Sequence, residues 1–122
     1  MITLTNKDFL IATKTKDYIK LMDSMLINVS NKEIIYKDKI RYYSLDLLEA
    51  IYKANDCIDK KKLEGYLESI LGNIVMIDFI LELFLERSYF SQKNIMKLTN
   101  LLIEVKRMST KWIENSLKEA KC

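Results

Sequence analysis

Apolar residues return every three or four positions through most of this chain, the spacing of helices that bury one face. Four segments carry the pattern. The first presents Ile11, Ile19, Met22, Met25, Leu26 and Val29, with Tyr18 beside them. The second presents Ile40, Tyr43, Leu47, Leu48, Ile51 and Ala54. The third runs through Leu63, Leu67, Ile70, Ile74, Ile77, Leu81 and Phe84. The fourth runs through Leu98, Leu101, Leu102, Val105, Met108 and Trp112, continuing to Leu117. No segment alternates with period two for long enough to compete as a strand.

Each segment follows a residue suited to start a helix. Thr5-Asn6-Lys7-Asp8 precedes the first, and Asp59 and Ser91 precede the third and fourth. Ser30-Asn31-Lys32-Glu33 fits a capping box, a hydroxyl followed three residues on by a glutamate. Asn55-Asp56 favours the end of the second helix and Ser88-Tyr89-Phe90 follows the third. Connections of about 2–5 residues make sequential helices run antiparallel. The expected fold is therefore all-α, an antiparallel up-down-up-down four-helix bundle forming one domain over residues 1–122.

Composition agrees with long uninterrupted helices: there is no proline, and Gly65 and Gly72 are the only glycines. Hydrophobic residues make up 49% and charged residues 30%, a globular rather than a disordered balance. The most apolar run, "ILGNIVMIDFILELFL", is broken by Asp78 and Glu82 and falls short of the roughly 20 residues a membrane span needs. The N-terminus lacks the basic-then-apolar pattern of a secretory signal, and Cys57 and Cys122 read as free thiols. These features point to a cytoplasmic protein. The Asn28-Val29-Ser30 sequon then reads as chance.

The absence of histidine removes His-based metal sites and the usual general bases. There is no glycine-rich phosphate loop and no nucleophile elbow. Cys57 has no recognisable base beside it. Catalysis, metal and cofactor are not expected.

Charge is sorted by helix. On the fourth, Lys93, Lys97, Arg107, Lys111 and Lys118 fall within roughly 40° of one line, which Glu104 shares. On the second, Lys32, Lys39, Asp46 and Lys53 recur every seven residues. The third carries Glu64, Glu68, Asp78, Glu82 and Glu86. Lys60-Lys61-Lys62 opens that helix, the wrong end for its dipole. Two readings stand side by side. The lines are solvated faces of an ordinary bundle, or the basic ones attract phosphate while the acidic one repels it. Tyr36, Tyr42, Tyr43 and Tyr52 suit core or interface, with base stacking as the alternative. Trp112 falls with Val105 and Met108 on the apolar stripe, as a packing anchor.

Two stretches, "YKDKIRYYSLDLLEAIYKAND" (Tyr36 to Asp56) and "YFSQKNIMKLTNLLIEVKRMSTKWIENSL" (Tyr89 to Leu117), resemble the Avd family. These are accessory variability proteins of diversity-generating retroelements, within the wider S23-like four-helix-bundle group. The resemblance implies a non-enzymatic homopentamer that binds RNA, DNA and a partner reverse transcriptase, and supports mutagenic reverse transcription. It sets Lys39, Arg41 and Lys53 at positions typically basic in the family. Glu104, Arg107, Met108 and Trp112 match a family segment with Glu-Ile-Gly-Arg-Met before a Trp. Thr110-Lys111 stands where the family often has Gly-Gly, and Asp78 and Glu82 stand where its third helix typically has arginines. Without the retroelement link, the expectation is an S23-like structural or protein-interaction bundle that binds no nucleic acid.

Overall fold

A computed structural model describes residues 9–121. Among them the chain forms four helices and no strand. They are α1 (Leu10–Met25), α2 (Ile34–Asn55), α3 (Leu63–Glu86) and α4 (Gln92–Lys121). Short 3-10 turns cover Leu26–Asn28, Asn31–Glu33 and Lys60–Lys62. The four helices pack against one another with α1 beside α2, α2 beside α3, α3 beside α4 and α4 beside α1. That ring order sets α2 and α4 on opposite corners.

Three of the start signals act as hydrogen-bond caps or their variants. The Ser91 hydroxyl accepts from the Asn94 N–H at 3.1 Å, capping α4. The Asp59 carboxylate accepts from the Lys61 N–H at 3.0 Å and opens the turn that leads into α3. Ser30 accepts from the Lys32 N–H at 3.2 Å. The reciprocal half of its expected capping box is missing, because the Glu33 carboxylate is drawn instead to the guanidinium of Arg87. The start signal at Thr5–Asp8 lies outside the described residues.

The end of α3 explains the tight turn into α4. Ser88 takes a left-handed conformation, φ 62°. Its N–H donates to the Leu85 carbonyl at 3.0 Å, and the Tyr89 N–H donates to the Phe84 carbonyl at 2.9 Å. This pair of bonds is a Schellman motif. Its accompanying apolar contact is present: the Phe84 ring lies edge-on to Tyr89 and Phe90, with centroids 6.1 and 5.5 Å away.

The core follows the expected stripes, with departures on α1, α2 and α4. Tyr18, expected beside the first stripe, is fully buried and shares a 2.8 Å hydrogen bond with the Ser44 hydroxyl of α2. Burial pushes its phenol well above the usual tyrosine range. Lys37 is buried too. Its ammonium donates to the Val29 carbonyl at 3.1 Å and to Asn31 Oδ1 at 3.3 Å, tying the α1–α2 connection to α2. On α4 the buried line runs Leu98, Leu102, Val105, Ser109 and Ile113. Trp112 sits at its edge, half-buried, with its ring edge-on to Phe9 at 5.5 Å. It anchors α4 to the start of α1 rather than filling the centre. The Ser109 hydroxyl is buried with no hydrogen-bond partner among the described residues.

Candidate nucleic-acid interface

An α-helix leaves one face to solvent, and on α4 that face is mainly cationic, with Glu114 and Glu119 exposed among the cations. Lys93, Lys97, Lys106, Arg107, Lys111 and Lys118 are all exposed. Lys93, Lys97, Arg107 and Lys111 take part in no ion pair among the described residues. Lys93 and Lys111 are 18 positions apart, so the ridge runs about 27 Å at 1.5 Å per residue.

The acid on this line, Glu104, is held by Lys14 of α1 in an ion pair. The Lys14 ammonium keeps the Glu104 carboxyl below its ordinary range, chiefly by the hydrogen bond between them. Lys14 thus reaches the α4 ridge from a different helix and offsets its negative charge. Beside this pair, a groove between α1 and α4 is lined by Lys14, Arg107, Lys111, Met108, Phe9 and Trp112. Sequence spacing on α4 alone gives no sign of Lys14, because it arrives from a neighbouring element.

The basic residues expected on α2 fare differently. Lys32 and Lys39 are exposed, and the Lys39 ammonium lies 5.7 Å from the Tyr42 ring centroid. Arg41 turns toward α1, where its guanidinium meets Asp23 at 3.1 Å, and it also lies 3.7 Å from Asp38 on its own helix. Lys53 pairs with Glu49 at 3.1 Å, and that bond raises its pKa. Asp46, on the same line, accepts a 2.9 Å hydrogen bond from Asn73 of α3. Of the four basic residues expected on this helix, Lys32 falls in the turn ahead of α2, and Arg41 and Lys53 are already partnered by carboxylates. Since α2 lies diagonal to α4, the two basic lines sit on separate sides of the bundle and form no common surface.

The third helix has no lysine or arginine in its 24 residues. Glu64, Glu68, Asp78, Glu82 and Glu86 are all exposed, and none is in an ion pair among the described residues. Lys60, Lys61 and Lys62 are exposed ahead of it. Among the described residues, no three His, Cys, Asp or Glu side chains gather as a metal site would need. Cys57 is half-buried, its thiol donating to the Asp59 carbonyl at 2.9 Å. Cys122 lies outside the described residues. No described helix is long and apolar enough to cross a membrane.

No known family model matches the sequence, and no curated protein matches it.

Proposed function

We propose that this protein is a non-enzymatic accessory subunit that binds nucleic acid and a partner reverse transcriptase. In this reading it works in the cytoplasm, as a homopentamer, to support mutagenic reverse transcription in a diversity-generating retroelement. The observation that carries the nucleic-acid part is the α4 ridge: four exposed cations outside ion pairs, with the one acid on their line neutralised by Lys14. Fixed cations spaced along a helix match the repeating charge of a phosphate backbone. The retroelement part and the pentamer rest on the sequence resemblance in the second and fourth helices.

The same reading takes the bundle as antiparallel, up-down-up-down. The order of cross-helix contacts supports it. Phe9, Tyr18 and Asp23 of the rising chain meet Tyr52, Ser44 and Arg41 in falling order. Phe9 and Lys14 likewise meet Trp112 and Glu104.

Binding to a structured RNA, measured at low and at moderate salt, tests the proposal. Affinity at low salt that falls steeply with added salt is expected. It should be lost on substituting Lys93, Lys97, Arg107 and Lys111 with Glu. Absence of binding at low salt, or binding indifferent to those substitutions, removes the nucleic-acid part.

One observation favours a second reading, a structural or protein-interaction bundle. The cations of α2 are partly spent on Asp23, Asp38 and Glu49 and lie across the bundle from α4. That reading expects a defined oligomer by light scattering and no affinity for RNA. Ridge-dependent RNA binding overturns it.

A further inference from the structure

The outward face of α3 combines three features that the nucleic-acid reading does not use. The first is exposed apolar surface. Val75 is 65% exposed, Phe79 49% and Met76 38%, and Gly72 lies one turn before Met76 on the same face. Large apolar side chains at i, i+1 and i+4 on one open face form a seam that can seat another helix.

The second feature is Gly72 itself. A glycine inside a helix loosens it. Among the described residues no packed neighbour approaches Gly72: a Cβ built there meets none within 4 Å, as at Gly65. The described packing therefore supplies no reason for the glycine, whereas a helix approaching from outside would come closest there.

The third feature is charge. The seam is bracketed by Glu64 and Glu68 at one end and by Glu82 and Glu86 at the other. None of these acids has an ion-pair partner among the described residues. Glu68 and Glu82 are 14 positions apart, or about 21 Å along the helix. A partner that lays apolar side chains on Val75, Met76 and Phe79 gains from cations set about that far apart on its own flanks. A phosphate-bearing polymer or an anionic membrane would be repelled by the same carboxylates.

We propose that the outward face of α3 is the docking site for a basic amphipathic helix of a protein partner. The occupant is about five turns long, apolar in the middle at i, i+3, i+4 and i+7, and lysine- or arginine-rich at both ends. The inference rests on the protein-partner half of the proposed function and not on the RNA half. RNA binding by α4 variants reads the one, and helix binding by α3 variants reads the other.

The test is a display library of 20-residue amphipathic helices whose flanking positions are randomised among Lys, Glu and Gln, selected on the full chain. Enrichment of Lys at both flanks is expected. The enriched peptides should bind at least about tenfold more weakly to the Phe79→Asp protein. A Glu82→Lys, Glu86→Lys protein should reverse the preference at one flank. Val75→Asp repeats the test should Phe79→Asp fail to fold, as read by helical circular dichroism. Failure to enrich any peptide, enrichment without preference for Lys, or binding indifferent to both seam variants overturns the proposal. So does a light-scattering mass above the monomer that drops to the monomer in Phe79→Asp, because a second copy then occupies the face.

Discussion

If the α4 ridge holds a nucleic-acid backbone, its salt dependence follows from counting the cations free to act. Lys93, Lys97, Arg107 and Lys111 are exposed and outside ion pairs. Each phosphate neutralised contributes about 0.7 to the slope of log K against log salt for single strands and about 0.9 for duplex. Four contacts therefore give a slope of about −2.8 to −3.6. Raising salt from about 50 to about 200 mM then weakens binding by about 50- to 150-fold. The ridge's length of about 27 Å matches about eight base-pair steps, so one molecule can engage all four contacts along one strand. The assay is fluorescence anisotropy with a labelled RNA hairpin across that salt range. Substituting all four residues with Gln should flatten the slope by about three units. Substituting Lys53, already held by Glu49, should change it by less than one ridge residue does. A wild-type slope shallower than about −1, or a slope the quadruple variant leaves in place, refutes the reasoning.

Three further outcomes follow from single interactions. Glu104→Gln removes the acid on the ridge and releases Lys14, so the slope should steepen by about one unit. Because Lys14 lowers the Glu104 pKa, the pair contributes to stability above the carboxyl's unfolded pKa and is lost as pH falls through the folded value. Ser109→Ala deletes a buried, unsatisfied hydroxyl and should stabilise the fold by about 1 kcal/mol in urea unfolding; equal or lower stability counts against it. Tyr18→Phe strands the Ser44 hydroxyl and should cost about 1–3 kcal/mol, whereas the double variant with Ser44→Ala should cost less than the sum of the singles. The raised Tyr18 pKa stabilises the fold below the unfolded tyrosine value near 10. That contribution is lost as pH rises through the folded value, so ultraviolet titration should show one late phenol that Tyr18→Phe abolishes.

The sequence pattern located the helices well because spacing and caps are local properties. Ser91 and Asp59 accept from backbone N–H groups within three residues of themselves. What spacing cannot carry is the identity of the neighbour. Arg41 and Lys53 look as free as Lys93 until Asp23 approaches Arg41 from α1. The Lys53–Glu49 pair was open to a reading at i,i+4 spacing. Glu33, the acid of the Ser30 capping box, instead meets Arg87, 54 positions further along the chain. On α4, Ser109 takes a buried position that its hydroxyl disguises, and Trp112 moves to the edge because Phe9 supplies a ring there. On α3 the difficulty is reversed. Leu63, Ile70, Ile74, Ile77, Leu81 and Phe84 are buried as the stripe predicts, but Val75, Met76 and Phe79 add apolar surface on the acidic open face that the stripe does not account for.

Charge sorting in this bundle has a consequence that neither helix shows alone. The α4 ridge and the α3 seam belong to adjacent helices, and the groove between them is lined by Asp78 on one wall and Lys106 on the other. If the proposal holds, a nucleic-acid backbone on Lys93, Lys97, Arg107 and Lys111 meets the carboxylates of α3 once it drifts past Lys106, whereas on the α1 side the Lys14–Glu104 pair leaves no net charge to repel it. On that reading the acidic helix keeps the polymer to the α1 side and leaves the α3 seam open for a protein helix. If both proposals hold, the two ligands bind together, and a saturating selected peptide should leave RNA affinity within about twofold. Charge reversal at Asp78, Glu82 and Glu86 should then let RNA spread onto α3 and compete with the peptide. Competition already present in the wild-type protein would show that the two ligands share a surface, and the steering argument would fail.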